Sequence, residues 1–272
     1  MSIDQATALL RGLEWFFIFA LGASFGSFGT VLEARVPDGL SVVSPPSACP
    51  HCGHQLRWFE NVPILGYLAL RGKCGGCKQP ISRKYPLTEL CTAFLFVLSF
   101  TPGPDPQVGI GNFALAAMAV ITVPLVLIDL RVHRLPNAIT YPTGLLLLTL
   151  MVLGPFAGGT WANSLSVLLQ GLVPAAILLT IGLISRGGMG LGDVKLAALM
   201  GWAAGWFGIA ATVSSFAVAF LLGGAYAVIV LVTKKMNRKS AIPFGPFLLI
   251  GFWIAFAGGN FIQNVVLSLW GF

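Results

Sequence analysis

The sequence predicts an all-α polytopic membrane protein of about eight transmembrane helices, with one small water-facing segment inserted after the first. Three observations predict it. Of 272 residues, 56% are hydrophobic and only 9% are charged, where a soluble domain carries roughly 25%. The apolar residues fall into long runs separated by short breaks. The basic residues fall almost entirely into every second break. This composition excludes a water-soluble enzyme, a disordered chain and a nucleic-acid partner. The net charge of +7 instead fits loops held on the inner face of a bilayer.

The first apolar run, Trp15–Leu32, reads as a retained span rather than a signal peptide. Its basic flank is only Arg11, set against Asp4 and Glu14, and it is longer than a usual signal core. Residues 36–86 then change character, with Pro, Cys, His and basic residues concentrated there. From residue 87 the expected spans are 87–100, 110–130, 138–153, 165–184, 194–206, 209–232 and 242–257, and the apolar tail from Phe261 extends the last one or lies at the interface. Three regions follow: a first helix over 1–35, an aqueous domain over 36–86 and a membrane domain over 87–272.

Charge tests that count. Fifteen of the 16 Lys and Arg residues lie in the breaks holding Arg35–Lys84, Arg131 with Arg134, Arg186 with Lys195, and Lys234–Lys239. The intervening breaks carry none. Basic loops stay in the cytoplasm, so both termini are expected outside and residues 36–86 in the cytoplasm.

Within that segment, Cys49-Pro-His-Cys52 and Cys74-Gly-Gly-Cys77 form two CxxC knuckles separated by 21 residues. Four thiolates so spaced converge tetrahedrally on one zinc ion, and with no open position the metal is structural. Two disulfides are the alternative and need an oxidising compartment, which the charge pattern argues against. His51 and His54 are possible ligands, but such histidines are more often exposed neighbours. Cys91, inside an expected span, reads as a small buried hydrophobe.

Two carboxylates stand at membrane edges. Asp129 ends the run Val120–Ile128, and Asp193 follows Gly188-Met-Gly-Leu-Gly192. A carboxylate in the bilayer costs roughly 2.5–3.5 kcal/mol on insertion scales, so it is usually paired or functional. Both lie at cytoplasmic ends in the expected topology and can meet at one depth. Two adjoining carboxylates do not both ionise easily, which leaves one acid and one base, the pair that water-mediated peptide cleavage requires. Gly188, Gly190 and Gly192 remove side chains where backbone approaches closely. Plainer roles are equally open: Asp129 as a helix-end charge beside Arg131 and Arg134, and Asp193 as the N-cap of a helix starting at Val194. Glu89 reads as a first-turn charge paired with Arg83 or Lys84, and Glu33 and Arg35 as interfacial charges.

At Gly190-Leu-Gly-Asp193 the chain resembles the GxGD motif of intramembrane aspartyl proteases. More widely it resembles bacterial type IV prepilin peptidases, the prepilin leader peptidase/N-methyltransferases. The residues carrying this run in family order: Gly26-Ser-Phe28, Arg35-Val-Pro37, Cys49-Pro-His-Cys52-Gly-His54, Trp58–Pro63, Leu70-Arg-Gly72, Cys74–Cys77, Ile81–Glu89, Asp129 with Pro136-Asn137, Gly188–Lys195 and Ile242–Phe247. The resemblance implies Asp129 and Asp193 as the catalytic pair, supported by Gly188, Gly190, Gly192, Lys195, Pro136 and Asn137. It implies a zinc-binding cytoplasmic domain held by Cys49, Cys52, Cys74 and Cys77. It also implies a multi-pass location in the bacterial inner membrane. The implied substrates are type IV prepilins and pseudopilins, cut after a glycine and then N-methylated from S-adenosylmethionine. Two positions depart from the family pattern: Thr30 stands where Asn is usual, and Phe59-Glu60 where an aromatic-Asp pair is usual. Methyl transfer rests on the resemblance alone, because the GMGLGD run does not follow a strand as a nucleotide-binding loop does. Two other classes compete: a proton-coupled transporter using the two aspartates as a relay, and a non-catalytic scaffold of a secretion machine.

Overall fold

The computed structural model describes residues 3–100, 106–185, 190–233 and 243–269. Among them the chain forms ten α-helices: α1 (Ile3–Arg35), α2 (Leu65–Ala69), α3 (Lys84–Ser99), α4 (Pro106–Val132), α5 (Asn137–Leu153), α6 (Trp161–Ile184), α7 (Leu191–Ala204), α8 (Ile209–Val232), α9 (Gly245–Ala257) and α10 (Gly259–Leu269). Each of the eight expected spans coincides with a helix. Five helical stretches are long and apolar enough to cross a bilayer alone: Ile3–Arg35, Gly109–Val132, Asn137–Ala157, Trp161–Ile184 and Ile209–Val232. Helices α3, α7 and α9 have 16, 14 and 13 residues. At 1.5 Å per residue they are about 20–24 Å long, short of the ~30 Å hydrocarbon core.

Helix α1 begins well before the expected Trp15. Nothing from Gln5 to Leu13 breaks a helix, and Asp4 in the first turn and Arg35 in the last complement its dipole. Helix α7 begins at Leu191 rather than Val194, because Gly190 takes the extended conformation of an N-cap.

The chain divides into two compact units: Met1–Thr101 with Ala119–Pro124, and Pro102–Met118 with Leu125–Phe272. In unit 1, α1 packs on α3 through a stripe of small residues. A Cβ on Gly22 would stand 2.6 Å from that of Phe96, and one on Gly26 would stand 2.6 Å from the Cα of Glu89. Only glycine permits this approach. Between the two helices, both knuckles fold alike. Cys49 N–H donates to His54 O (2.9 Å) and Cys74 N–H to Gln79 O (2.8 Å). Each turn then passes through a left-handed residue, Gly53 at φ 70° and Lys78 at φ 61°.

In unit 2, α6 and α7 meet where Gly171 faces the Trp202 indole and Gly201 faces the Gln170 carbonyl. Apolar side chains alone drive little association in lipid, so polar groups assist. Thr212 Oγ1 donates to Gln170 Oε1 (2.7 Å) and Trp202 Nε1 to Leu168 O (3.2 Å). Leu196, Met200, Leu248, Leu249 and Phe252 are fully buried in this unit. Leu145, Leu183 and Val228 are exposed, as lipid-facing residues are.

Candidate active site

Asp129 lies one turn before the end of α4. That end is made by His133, whose φ of 51° is the left-handed conformation that stops a helix and whose N–H donates to Asp129 O (2.9 Å). The Asp129 side chain is 5% exposed, and its Oδ2 has no hydrogen-bond partner among the described residues. The N–H of Gly245, at the start of α9, points at the carboxylate. A Cβ at residue 245 would stand 2.8 Å from Oδ2. Asp129 is therefore no solvent-facing helix-end charge.

Asp193 occupies the first turn of α7, where Gly190 rather than Asp193 is the N-cap. Its carboxylate accepts the Gly190 N–H and lies within electrostatic range of Asp129. The segment after α4 closes the arrangement. A Cβ on Gly192 would come within 3.1 Å of the Leu135 Cβ, and one on Gly245 within 3.5 Å of the Leu135 Cδ1. Pro136, extended, is the N-cap of α5. Asn137 Oδ1 accepts from Lys195 Nζ at 2.7 Å, and that ammonium also lies 5.0 Å from the Tyr141 ring centroid. The structure thus brings together Asp129, Pro136, Asn137, Gly190, Gly192, Asp193 and Lys195. Gly188 lies outside the described residues, as do Arg186 and Lys234–Lys239.

The second cluster lies in unit 1. The sulfur atoms of Cys49, Cys52, Cys74 and Cys77 all fall within 4.8 Å of one another, with Cys49–Cys77 at 3.9 Å and Cys52–Cys74 at 4.0 Å. Four sulfurs about 2.3 Å from a central zinc stand roughly 3.8 Å apart, so the set fits the ion. The N–H groups of His51 and Cys52 draw the Cys49 thiol down to about 7, toward the thiolate a metal needs. His54 is not a free neighbour: its Nε2 lies 3.0 Å from Glu60 Oε2, which also accepts the Arg57 N–H at 2.8 Å. Those two contacts, Arg57 first, hold the Glu60 carboxyl below its ordinary value against the opposing effect of burial.

Residues 20–102 match the bacterial peptidase A24 N-terminal domain, and residues 114–228 match the type IV leader peptidase family. Three relatives named prepilin leader peptidase/N-methyltransferase are similar over most of their length. That of Aeromonas hydrophila is 34% identical over 96% of this chain and 97% of its own. The Burkholderia pseudomallei relative is 34% identical over 90% and 85%, and that of Pseudomonas aeruginosa is 36% identical over 85% and 78%. This chain belongs to the type IV leader peptidase family. No solved structure matches it.

Other placements of this leader peptidase family member differ from sequence expectation. Cys91 is exposed rather than buried. Glu33 is buried rather than interfacial, and it pairs with Lys84 Nζ at 2.6 Å. Arg35 donates to Ser41 O (3.0 Å) and Pro45 O (2.7 Å). Glu89, expected to pair with Arg83 or Lys84, is 8% exposed and accepts the Ile64 N–H at 2.7 Å instead. These carboxylates read as ordinary helix-end charges because their partners are distant in sequence. Gly245 was identifiable only as part of a Phe-Gly-Pro-Phe run, with nothing local to link it to Asp129.

Proposed function

We propose that this chain is a membrane aspartyl endopeptidase with Asp129 and Asp193 as its catalytic pair. It removes the leader of type IV prepilins and pseudopilins after a glycine at the cytoplasmic membrane interface, and then N-methylates the new amino terminus. The observation that carries the reading is the buried Asp129 carboxylate, with one oxygen unpartnered, in the electrostatic range of a second carboxylate whose helix starts at a glycine N-cap. A buried acceptor left unpaired costs stability, and it persists where chemistry uses it.

In this mechanism one aspartate is ionised and the other protonated. The ionised member takes a proton from water as the oxygen attacks the scissile carbonyl carbon. The protonated member donates to the carbonyl oxygen. Collapse breaks the C–N bond, and the proton removed from water passes to the leaving amine. Gly192 and Gly245 let Leu135 and the Asp129 carboxylate pack closely against the starts of α7 and α9, and Lys195 with Asn137 ties the start of α7 to the start of α5.

Cys49, Cys52, Cys74 and Cys77 hold a structural zinc, which supplies cross-linking energy to a domain too small to build a large core. S-adenosylmethionine supplies the methyl group. The zinc-ribbon-like domain over 36–86 lies in the cytoplasm, between the first span and the peptidase region over 87–272. Both termini face outward across the bacterial inner membrane. The alternation of basic loops supports this orientation.

Purified protein in detergent, incubated with a prepilin and followed by mass spectrometry of the product, tests the reading. Asp129→Asn and Asp193→Asn keep shape but cannot exchange the proton, so each abolishes cleavage while remaining inserted. Near wild-type processing by either variant rejects the pair. A wild-type protein that leaves prepilin uncut would instead leave the transporter and scaffold classes standing.

A further inference from the structure

Residues 58–70 of unit 1 run Trp-Phe-Glu-Asn-Val-Pro-Ile-Leu-Gly-Tyr-Leu-Ala-Leu, with Arg57 before them and Arg71 after. They fold as a 3₁₀ turn, Trp58–Asn61, followed by α2. The two pack together at Gly66, where a Cβ would meet the carbonyls of Glu60 and Phe59. What this piece leaves uncovered is apolar: Trp58 is 83% exposed, Leu65 64% and Leu68 61%. Glu60, its one charged residue, turns inward onto His54 and the Arg57 N–H. An apolar face of this kind marks an interaction surface.

Its position along the helix pair decides what covers it. Helix α1 is apolar from Trp15 to Leu32 and long enough to cross a bilayer. A Cβ on Gly26 would stand 2.6 Å from the Cα of Glu89, so Glu89 lies level with Gly26. Gly26 is six residues, about 9 Å, inside the end of that apolar stretch. Glu89 Oε2 accepts the Ile64 N–H at 2.7 Å. One glutamate side chain and one hydrogen bond reach less far than that. The start of α2 therefore stands within the apolar depth of α1, not beyond its end.

The backbone suits that medium. Hydrocarbon holds no water to bond an amide, so each must be bonded internally. The amides of Gly66, Leu68 and Leu70 donate to the carbonyls of Val62, Ile64 and Gly66. Ile64, as N-cap, has no acceptor within α2, and Glu89 supplies one. To reach it Ile64 adopts φ 62°, ψ −51°, a conformation that a β-branched residue takes only under constraint.

We propose that Trp58–Leu70 is an interfacial anchor, sunk into the bilayer leaflet beside the knuckles, with Arg57 and Arg71 against anionic headgroups. Tryptophan at headgroup level and cations flanking an apolar face are the features of a helix lying in the interface. Both arginines are exposed, and the Arg57 guanidinium sits 6.0 Å from the Phe59 ring centroid, at the edge of the apolar face. The proposal needs only that α1 spans the bilayer, and it holds whether or not the aspartates cleave a substrate.

The full-length wild type in phosphatidylethanolamine–phosphatidylglycerol vesicles, with a diazirine on the phospholipid acyl chain, tests this by peptide mapping after illumination. Label on residues 58–70 should exceed label on the knuckle turns, 50–53 and 75–79, by about tenfold or more, as burial of one large apolar side chain gives. Leu65→Glu combined with Leu68→Glu changes only exposed positions and should lower that label about tenfold, with zinc content unchanged. Replacing phosphatidylglycerol by phosphatidylcholine should lower it several-fold, because the two arginines lose their headgroup partners. If the double variant does not insert, the wild-type ratio decides. Equal label on 58–70 and on the knuckle turns overturns the anchor, and a yield indifferent to phosphatidylglycerol overturns its assignment to anionic lipid. Label that disappears when prepilin is added gives the face to the substrate's apolar helix and overturns the anchor likewise.

Discussion

The Gly245 amide points at the Asp129 carboxylate, and a methyl group at residue 245 would stand 2.8 Å from Oδ2. Gly245→Ala must therefore push the carboxylate, or the start of α9, out of place. A displacement of ~1 Å at a reacting group costs on the order of 100-fold in rate. The variant should insert normally and cleave prepilin at least about tenfold more slowly, measured from initial rates. Wild-type rates would separate Gly245 from the chemistry.

Lys195 and Asn137 supply a second test. Their 2.7 Å contact joins the first turns of α7 and α5. A charge-assisted hydrogen bond is worth roughly 1.5–3 kcal/mol when buried and less where solvent reaches it, as here. Lys195→Leu should lower the turnover rate more than it raises the Michaelis constant, and Lys195→Arg, which keeps a donor, should recover most of the loss. Equal rates for Leu and Arg would remove the tie from the mechanism.

The mechanism needs one aspartate ionised and one protonated. Cleavage should fall at low pH as the base gains a proton and at high pH as the acid loses one. The two midpoints would belong to the pair and not to either residue. Rates measured across the range in which the protein stays inserted check this, and a flat profile would contradict it.

Elemental measurement should find about one zinc per chain, as four thiolates imply. Cys49→Ser and Cys74→Ser should each lower that content and expose the 36–86 segment to protease. Cys91→Ser should change neither, since Cys91 is outside the sulfur cluster. A metal-free protein with this segment still protease-resistant would dispose of the structural zinc.

Much of the architecture was legible from the chain alone, because a bilayer leaves few options. Backbone groups in hydrocarbon must bond internally, so each apolar run became a helix. The breaks announced themselves through Gly, Pro and basic residues. The CxxC spacing identified the four sulfurs for a similar reason, since a knuckle is local and its geometry is written within six residues. Asp129 and Asp193 stood out because charge is rare in an apolar run.

What the sequence could not specify was partnership across distance. Whether Asp129 faces Asp193 or caps its own helix depends on where α9 delivers Gly245, 116 residues later. Glu33 looked interfacial until α3 brought Lys84 to it, and Glu89 looked like a helix-start charge until Ile64 turned its N–H inward. Periodicity and composition describe a residue's own helix, whereas burial and pairing are set by the neighbouring helices. In this protein those neighbours approach through glycines such as Gly22, Gly26 and Gly245, whose significance lies in atoms they lack and becomes visible only when the opposing surface is in place.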